Sequence, residues 1–215
     1  MTKHLFTVGH SNLSLEEFIR LVKKHQVNAI ADVRSHPYSS YLSHFNRDLL
    51  KFELLKAKFK YVFLGDELGA RPKDLSCYIN NKAVYSKIAD SNDFQNGIKR
   101  IVVGLNKYRV ALMCAEKDPI SCHRTILICK HLRQLDIEID HIIDDKTLES
   151  QGQIEDRLLD LHGFDLQHNR LKIPKILQLD LFSSVQSSTT SFISKEEFLE
   201  KAYLIQENKI AYKNK

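Results

Sequence analysis

The sequence has no hydrophobic run that approaches the length needed to span a bilayer. Its N-terminal residues lack the apolar core and the small-residue cleavage site that are typical of a signal peptide. Cysteine is scarce, and without a secretory signal the four cysteines indicate free thiols in a reducing compartment instead of a disulfide framework. We therefore expect a cytoplasmic protein with no membrane partner. The cysteines are Cys77, Cys114, Cys122 and Cys129.

What the sequence does contain is an ordinary globular composition, with 43% hydrophobic and 27% charged residues. Its 215 residues suit one α/β domain with an appendage, or two small domains. The formal net charge of +5 favours acidic partners such as nucleotides or nucleic acid. A mildly basic cytosolic protein of another function is the alternative, because net charge alone does not specify a partner.

Short apolar runs alternate with helical patterns along most of the chain. Helices between apolar strands imply βαβ units, because such strands are covered on both faces. We therefore predict an α/β fold of three layers, in which a mostly parallel sheet is flanked by helices. The predicted strands lie at 5–9, 28–33, 60–64, 110–114 and 137–143, and the predicted helices at 15–25, 47–58, 83–89, 94–107, from 121 onward, and at 154–161.

The composition of the sequence changes beyond the last of these helices. Residues 163–174 are polar and rich in turn residues, and residues 183–194 are rich in Ser and Thr, which is typical of a flexible linker. An amphipathic helix is predicted at 195–206. We therefore predict an α/β domain at 1–162 and a partly flexible helical C-terminal extension at 163–215, formed by a linker and the terminal helix.

Four of the predicted strands end in polar clusters. Parallel strands bring their carboxyl ends to one edge of a sheet, and ligands of open α/β sheets bind beyond that edge. The sequence therefore predicts a site where the clusters meet. They lie at 9–11, 34–39, 69–71 and 114–124.

The densest of these clusters closes the stretch 110–124, VALMCAEKDPISCHR. Cys114 is a candidate nucleophile, because His10, His123 and the nearby arginines would lower the pKa of its thiol. The alternative is a packing cysteine buried at the end of a strand. Phosphatase-like loops place an arginine six residues after the cysteine, but Ile120 occupies that position, so the anion cradle of that mechanism is lacking.

The same strand ends offer groups for proton transfer. Asp32 and Glu116 are candidates for general acid and general base, because burial and neighbouring arginines can separate the pKa values of two carboxylates. His10 or His123 could serve the same role. The sequence does not rank these four candidates.

Three arginines and a serine are candidates for binding the substrate. Guanidinium groups bind phosphate or carboxylate in a bidentate manner. Arg124 also falls in the first turn of the helix predicted to start at Ser121, where free N–H groups favour an anion. We therefore expect a phosphate-bearing ligand; the alternative is that the arginines form structural ion pairs with Asp32 and Glu116. The four candidates are Ser11, Arg34, Arg71 and Arg124.

A metal site is a further candidate, with Cys114, Cys122 and His123 as ligands and His10 as the fourth. The seven residues between the two cysteines do not match a zinc knuckle. Adjacent residues such as Cys122 and His123 rarely face one ion. We therefore expect no metal and no other cofactor.

Several of these residues belong to four separated motifs. The motifs are Thr7-Val8-Gly9-His10-Ser11, Asp32-Val33-Arg34 with Pro37, Leu68-Gly69-Ala70-Arg71, and Met113-Cys114-Ala115-Glu116 with Cys122-His123-Arg124. Together they resemble the domain-of-unknown-function family 488 (DUF488), in a longer form with a C-terminal extension. The resemblance covers about residues 4–160 and implies that the motif residues matter, but it implies no activity. One departure is Ala70, where a second glycine is expected.

The extension carries a second functional signal at residues 178–182, QLDLF. These residues resemble the peptide by which bacterial replication and repair proteins bind the DNA sliding clamp. Leu181 and Phe182 would fill an apolar pocket while Gln178 supplies a side-chain amide. The alternative is an amphipathic strand that buries Leu179, Leu181 and Phe182 against this domain.

Two functional hypotheses follow. The first is a hydrolase or transferase that acts on a phosphate-bearing substrate, nucleotide or nucleic acid, in DNA repair or modification, and that the sliding clamp recruits. The second is a non-catalytic adaptor that binds nucleic acid or the clamp. Perturbed pKa values in a pocket favour the enzyme, whereas a shallow basic surface with mutually paired polar groups favours the adaptor.

Overall fold

The computed structural model describes residues 3–165, 170–171 and 194–214. The strands, in chain order, are β1 (Lys3–Gly9), β2 (Ala29–Asp32), β3 (Lys60–Phe63), β4 (Tyr78–Ile79), β5 (Lys82–Ala83), β6 (Val110–Cys114), β7 (Ile137–Ile142), β8 (Leu148–Ser150), β9 (Phe164–Asp165) and β10 (Arg170–Leu171). The helices are α1 (Leu15–Lys24), α2 (Arg47–Lys56), α3 (Gly65–Leu68), α4 (Tyr85–Ala89), α5 (Asn92–Gly104), α6 (Lys130–Leu132), α7 (Gln151–Leu161) and α8 (Lys195–Ile210).

A six-stranded sheet in the order β3-β2-β6-β1-β7-β8 forms the middle layer. All neighbouring strands in it are parallel except the edge strand β8, which is antiparallel to β7. The register pairs Gly9 with Cys114 and Asp32 with Met113, so three strands end at the same edge. The predicted mostly parallel sheet is confirmed. The sequence did not predict β8, because its three residues, Leu-Glu-Ser, form no apolar run.

Helices cover both faces of this sheet, as a three-layer fold requires. Alternate residues of β1 point to opposite faces. Phe6 and Val8 pack in a core with α1 and α2, whereas Leu5 joins a larger core on the other face. That larger core includes buried residues of α4, α5, α7 and α8, such as Phe94 and Leu158. The predicted α/β class and layering are therefore confirmed.

The segment before the predicted fifth helix differs from the prediction. Ser121 does not cap a helix but ends a 3-10 turn (Pro119–Ser121), which Asp118 caps by accepting from the backbone N–H of Ile120. Helical backbone begins two residues later and opens with a π-helical turn (Arg124–Cys129) that continues into α6. The prediction of a helix start at Ser121 is wrong because Cys122 is extended.

The terminal helix α8 packs on the domain. Its Phe198, Leu199 and Tyr203 are buried in the same core as the sheet. After α8, the carbonyl oxygen of Tyr212 accepts from the backbone N–H of Ala83 at 2.8 Å, which fixes the chain beside β5. The sliding-clamp candidates Gln178, Leu179, Leu181 and Phe182 lie outside the described residues. Among the helices that the structure does describe, none is long and apolar enough to cross a membrane.

Candidate functional site

The end of β6 and the segment after it form a compact group of reactive side chains, the thiol cluster (Cys114, Glu116, Cys122 and His123). One carboxylate oxygen of Glu116 lies 3.0 Å from the Sγ atoms of both Cys114 and Cys122. His123 Nδ1 lies 3.7 Å from the Sγ of Cys114 and 3.9 Å from the Sγ of Cys122. The two sulfur atoms and a His123 ring nitrogen all lie within 4.8 Å of one another.

The backbone explains how two adjacent residues face one point. Cys122 is extended (φ −128°, ψ 139°), whereas His123 is helical (φ −61°, ψ −24°). This change of conformation directs both side chains toward the Sγ of Cys114. Adjacent residues rarely face one ion, but the side chains of Cys122 and His123 both approach the Sγ of Cys114 here.

The two thiols of the cluster differ in acidity. Burial opposes ionisation of Cys122, but the hydrogen bond from Cys114 and the charge of Arg124 outweigh it and hold the pKa of Cys122 well below its usual value. The hydrogen bond to Cys122 and burial raise the pKa of Cys114. The surroundings therefore favour one thiolate between these two sulfurs, and the role of Cys114 as nucleophile stays a prediction.

The other two members of the cluster also have shifted pKa values. Burial and the negative charge of Cys122 raise the pKa of Glu116. Burial acts to lower the pKa of His123, but its hydrogen bond to Cys122 reverses the direction and the net shift is upward. Cys122 therefore influences the protonation of the other three side chains.

Arg124 supports the thiol cluster from inside the protein. Its side chain is 0% exposed. Its guanidinium donates to the backbone carbonyl of Glu116 at 2.6 Å, to that of Lys117 at 3.0 Å, and to Thr7 Oγ1 at 3.4 Å. The same Glu116 carbonyl crosses Gly9 so closely that a Cβ there would lie 1.8 Å from its oxygen. Arg124 and Gly9 thus hold the loop that presents Glu116.

The backbone N–H groups near Arg124 are also engaged. The N–H of Arg124 donates to Cys122 Sγ at 3.4 Å, and those of Thr125 and Ile126 donate to the Cys122 carbonyl at 3.1 Å. The predicted anion site at this helix start therefore lacks its donors.

The neighbouring strand end forms a second polar group, the ion-pair cluster (His10, Asp32, Arg34 and Tyr61). Arg34 donates from Nε and NH2 to the two carboxylate oxygens of Asp32, at 2.9 and 2.7 Å. Tyr61 donates to the same carboxylate at 2.8 Å. Arg34 and Asp32 are buried. They form the structural ion pair that the sequence left open as an alternative.

His10 belongs to this ion-pair cluster and not to the thiols. Its Nε2 lies 3.2 Å from Arg34 NH1, its Nδ1 lies 2.9 Å from the carbonyl oxygen of Ser11, and its ring stacks on Phe45. Burial and the charge of Arg34 lower the pKa of His10 to about 4. The imidazole is therefore neutral near pH 7, donates to Ser11 and accepts from Arg34.

A cavity of about 210 Å³ opens onto the thiol cluster. Cys114, Glu116 and His123 line it. Arg71 lies at an exposed position of the lining, and its guanidinium stacks over the ring of Tyr212, 4.3 Å from the ring centre. The C-terminal extension thus supplies part of the wall. The remaining lining residues are Arg34, Ser35, His36, Ala70, Tyr85, Ala115, Ser121 and Ile210.

Larger cavities lie elsewhere. Ser11 lines one of about 430 Å³ at the ends of β1 and β7, together with Arg20 and Asp144. Another, of about 520 Å³, is mostly apolar and lies between α5 and the strands β2 and β3. None of the residues that line these two cavities belongs to the thiol cluster. The smaller cavity is the candidate site because it alone of the three is lined by residues of the thiol cluster.

The structure thus divides the residues predicted from the sequence. It brings Cys114, Glu116, His123, Arg71 and the ion-paired Arg34 to the cavity, and it places Ser11 in another one. Asp32, His10 and Arg124 are engaged in buried contacts. Sequence reasoning did not assign functional roles to Tyr85 and Tyr212, because both lie far along the chain from the motifs and only the fold brings them to the wall.

Comparison with known proteins adds one finding. The family model described as Domain of unknown function DUF488 matches residues 14–130, just over half of the chain. No curated protein and no solved structure matches the chain significantly. The chain therefore belongs to the DUF488 family. The matched residues include the whole thiol cluster and Arg71, whereas β1 and α8 lie outside the match.

Proposed function

We propose that this DUF488 protein is a hydrolase or transferase that acts on a small phosphate-bearing substrate, with a nucleotide or a nucleic-acid end as the favoured class. One observation carries the proposal: the cavity at the carboxyl edge of the sheet joins the thiol cluster to an exposed guanidinium. Such a combination of a cleft, perturbed side chains and a charged anchor is typical of an enzyme site.

Arg71 is the proposed phosphate ligand. Arg34 is neutralised by Asp32, and Arg124 is bound to backbone carbonyls inside the protein. Arg71 instead retains an exposed guanidinium whose face rests on Tyr212, which leaves its N–H groups for a ligand. A single free arginine in a cavity of about 210 Å³ suits one phosphate group, and it favours a nucleotide or a strand end over an extended duplex.

The thiol cluster is the proposed source of the reacting groups. Cys114 and Glu116 line the cavity that Arg71 flanks, so a phosphate bound by Arg71 would face a thiol and a carboxylate. The carboxyl group of Glu116 is placed to transfer a proton, and His123 is the second candidate for that role. Tyr212 offers a ring for stacking beside the phosphate anchor.

The binding step is tested by titrating inorganic phosphate, a nucleoside monophosphate and a 5′-phosphorylated oligonucleotide into the full chain. We expect the wild type to bind the nucleoside monophosphate, and Arg71→Ala to weaken that affinity by roughly tenfold to a hundredfold, because charge-assisted hydrogen bonds contribute about 1.5–3 kcal/mol. Isothermal titration calorimetry measures both constants.

Lys51→Ala is the matched control, since Lys51 is an exposed cation on α2, which packs on the opposite face of the sheet. It should retain wild-type affinity at the same ionic strength. The proposal fails if none of the three phosphates binds, or if Arg71→Ala and Lys51→Ala weaken binding equally.

A second candidate function is recruitment by the DNA sliding clamp, with the protein acting as an enzyme in DNA repair or as a non-catalytic adaptor. Only the sequence match of residues 178–182 favours it. Purified clamp should bind the full chain, and replacing Leu181 and Phe182 by alanine should abolish that binding. Equal binding of the two chains would remove this candidate.

A further inference from the structure

We propose that the thiol cluster binds zinc through Cys114, Cys122 and His123, with solvent at the fourth position and Glu116 beside the two sulfurs. This inference goes beyond the proposed function and does not depend on it, because it requires neither Arg71 nor a phosphate. It also reverses the expectation, drawn from residue spacing, that the protein holds no metal.

The spacing of the ligand atoms fits a tetrahedral ion. Zn–S bonds of about 2.3 Å and Zn–N bonds of about 2.0–2.1 Å place neighbouring ligand atoms roughly 3.5–3.8 Å apart in a tetrahedron. The distances from His123 Nδ1 to the two sulfur atoms are 3.7 and 3.9 Å. The two nitrogen–sulfur distances therefore lie within a few tenths of an ångström of those in a tetrahedral site, and the two sulfurs lie within 4.8 Å of each other.

The tautomer of His123 is the one that metal binding requires. Its Nε2 lies 3.0 Å from the backbone carbonyl oxygen of Val33, which can only accept a hydrogen bond. Nε2 of the neutral ring therefore carries the proton, and the lone pair of Nδ1 faces Cys114 and Cys122. A ligating histidine typically donates its other N–H to a carbonyl in this way, which fixes the ring orientation.

The buried Arg124 lies next to the thiol cluster and favours thiolates there. Its guanidinium is completely buried, and its acceptors are backbone carbonyls and a hydroxyl, all neutral. Within the described part of the chain it forms no salt bridge with a carboxylate, and the negative charge that compensates it is the ionised thiol of Cys122. Thiolate ligands to Zn²⁺ would keep negatively charged sulfur atoms beside Arg124.

The chemistry of the donors selects the metal. Two sulfur ligands and one imidazole are soft and borderline donors, which favour Zn²⁺ over Mg²⁺ or Ca²⁺. Binding forms two Zn–S bonds and one Zn–N bond, and any protons remaining on the sulfurs of Cys114 and Cys122 pass to solvent. Three protein ligands with solvent in the fourth position are typical of catalytic zinc sites.

A disulfide between Cys114 and Cys122 is the competing use of the same atoms. Both cysteines are free in this structure. A disulfide would leave the Nδ1 lone pair of His123 and the carboxylate of Glu116 without a function in the cluster, and it would remove the thiolate charge beside Arg124. The arrangement therefore favours a metal.

The test uses the full chain, prepared under reducing conditions and stripped of metal. Zn²⁺ is titrated against a chromophoric chelator, and Co²⁺ is used as a spectroscopic probe. We expect one Zn²⁺ per chain, and a Co²⁺ complex with the visible bands of tetrahedral coordination and the near-ultraviolet bands of thiolate ligation. Cys114→Ser, Cys122→Ser and His123→Gln should each weaken zinc affinity by at least about 100-fold, more than the loss that follows removal of an outer-shell partner.

Cys77→Ser is the matched control, because Cys77 is also a free buried cysteine but does not belong to the cluster. It should retain wild-type stoichiometry and the thiolate bands. The proposal is overturned if the wild type binds no Zn²⁺, if its Co²⁺ complex lacks thiolate bands, or if Cys77→Ser loses as much affinity as Cys114→Ser. Mass spectrometry that finds a Cys114–Cys122 disulfide under the same reducing conditions also overturns it. Because the wild-type spectrum decides, a variant that fails to fold does not leave the question open.

The outcome is separable from that of the proposed function. Loss of phosphate binding in Arg71→Ala, with zinc binding unchanged, would support both ideas independently. A chain that binds zinc but no phosphate would retain the metal site and refute only the proposed substrate class.

Discussion

The ion-pair cluster and the thiol cluster lie at the ends of neighbouring strands and are built from similar reactive side chains, but they differ in how far their polar atoms are satisfied. In the ion-pair cluster, Asp32 accepts from Arg34 and Tyr61, and His10 uses both ring nitrogens. In the thiol cluster, two sulfurs share one oxygen of Glu116, and Nδ1 of His123 faces both sulfurs.

This difference separates a structural role from a chemical one. A polar group whose donors and acceptors are all paired inside the protein mainly fixes the fold. A group of polar side chains that point toward one another beside a cavity can still bind a ligand. Reactive residues at the end of a parallel strand therefore indicate a site only when their partners do not already satisfy them.

Asp32→Asn is expected to cause the largest effect, because it leaves the buried guanidinium of Arg34 without its counter-charge. Removing one partner of a buried ion pair costs about 3–5 kcal/mol. Chemical denaturation measures the loss in unfolding free energy. Glu53→Gln, which breaks the more exposed pair with Lys56, is the control and should cost no more than about 0.5 kcal/mol. A small effect of Asp32→Asn would show that the ion-pair cluster is not structural.

The pH dependence of the unfolding free energy should reveal the lowered pKa of His10. Its folded pKa of about 4 lies below the unfolded value of 6.5, so the unfolded chain binds the proton first. The contribution of His10 is complete above about pH 6.5 and is lost as pH falls toward 4, at up to about 1.4 kcal/mol per pH unit. His10→Gln should therefore show a shallower acid slope in denaturation between pH 6.5 and 4. Equal slopes would place His10 in a solvated environment.

Zinc should distinguish the two clusters directly. At a free concentration 100 times its dissociation constant, a ligand stabilises the folded state by about 2.7 kcal/mol. We expect that gain for the wild type and for Cys77→Ser, but not for Cys114→Ala. Thermal unfolding with and without zinc, and after treatment with a chelator, measures it. A similar gain in Cys114→Ala would place the bound zinc outside the thiol cluster.

Arg71→Ala should have the smallest effect on stability. Arg71 is exposed, and its contact with Tyr212 is expected to contribute no more than about 1 kcal/mol. Its loss should therefore weaken phosphate binding without unfolding the chain, as calorimetry and thermal unfolding of the same sample can verify. A large loss of stability would assign Arg71 to the structure instead of the cavity.

Local patterns in the sequence were sufficient for the framework. Apolar runs predicted the five longest strands of the central sheet, because buried parallel strands need side chains that are apolar on both faces. The capping residues Ser14 and Ser194 marked the starts of α1 and α8, since each side chain accepts from a backbone N–H three residues on. The alternation of these elements determined the α/β class and the edge at which the polar residues would meet.

Only the tertiary structure decided which of those polar residues remain available. Arg34 and Arg71 look alike in sequence, but Asp32 neutralises the first, whereas the second rests on Tyr212, which the C-terminal extension brings to the cavity. Similarly, the adjacency of Cys122 and His123 in sequence argued against both side chains approaching one point. The change of backbone conformation between them allows both to approach the Sγ of Cys114. Sequence patterns report local conformation and burial, whereas the satisfaction of a polar atom depends on partners that are distant along the chain.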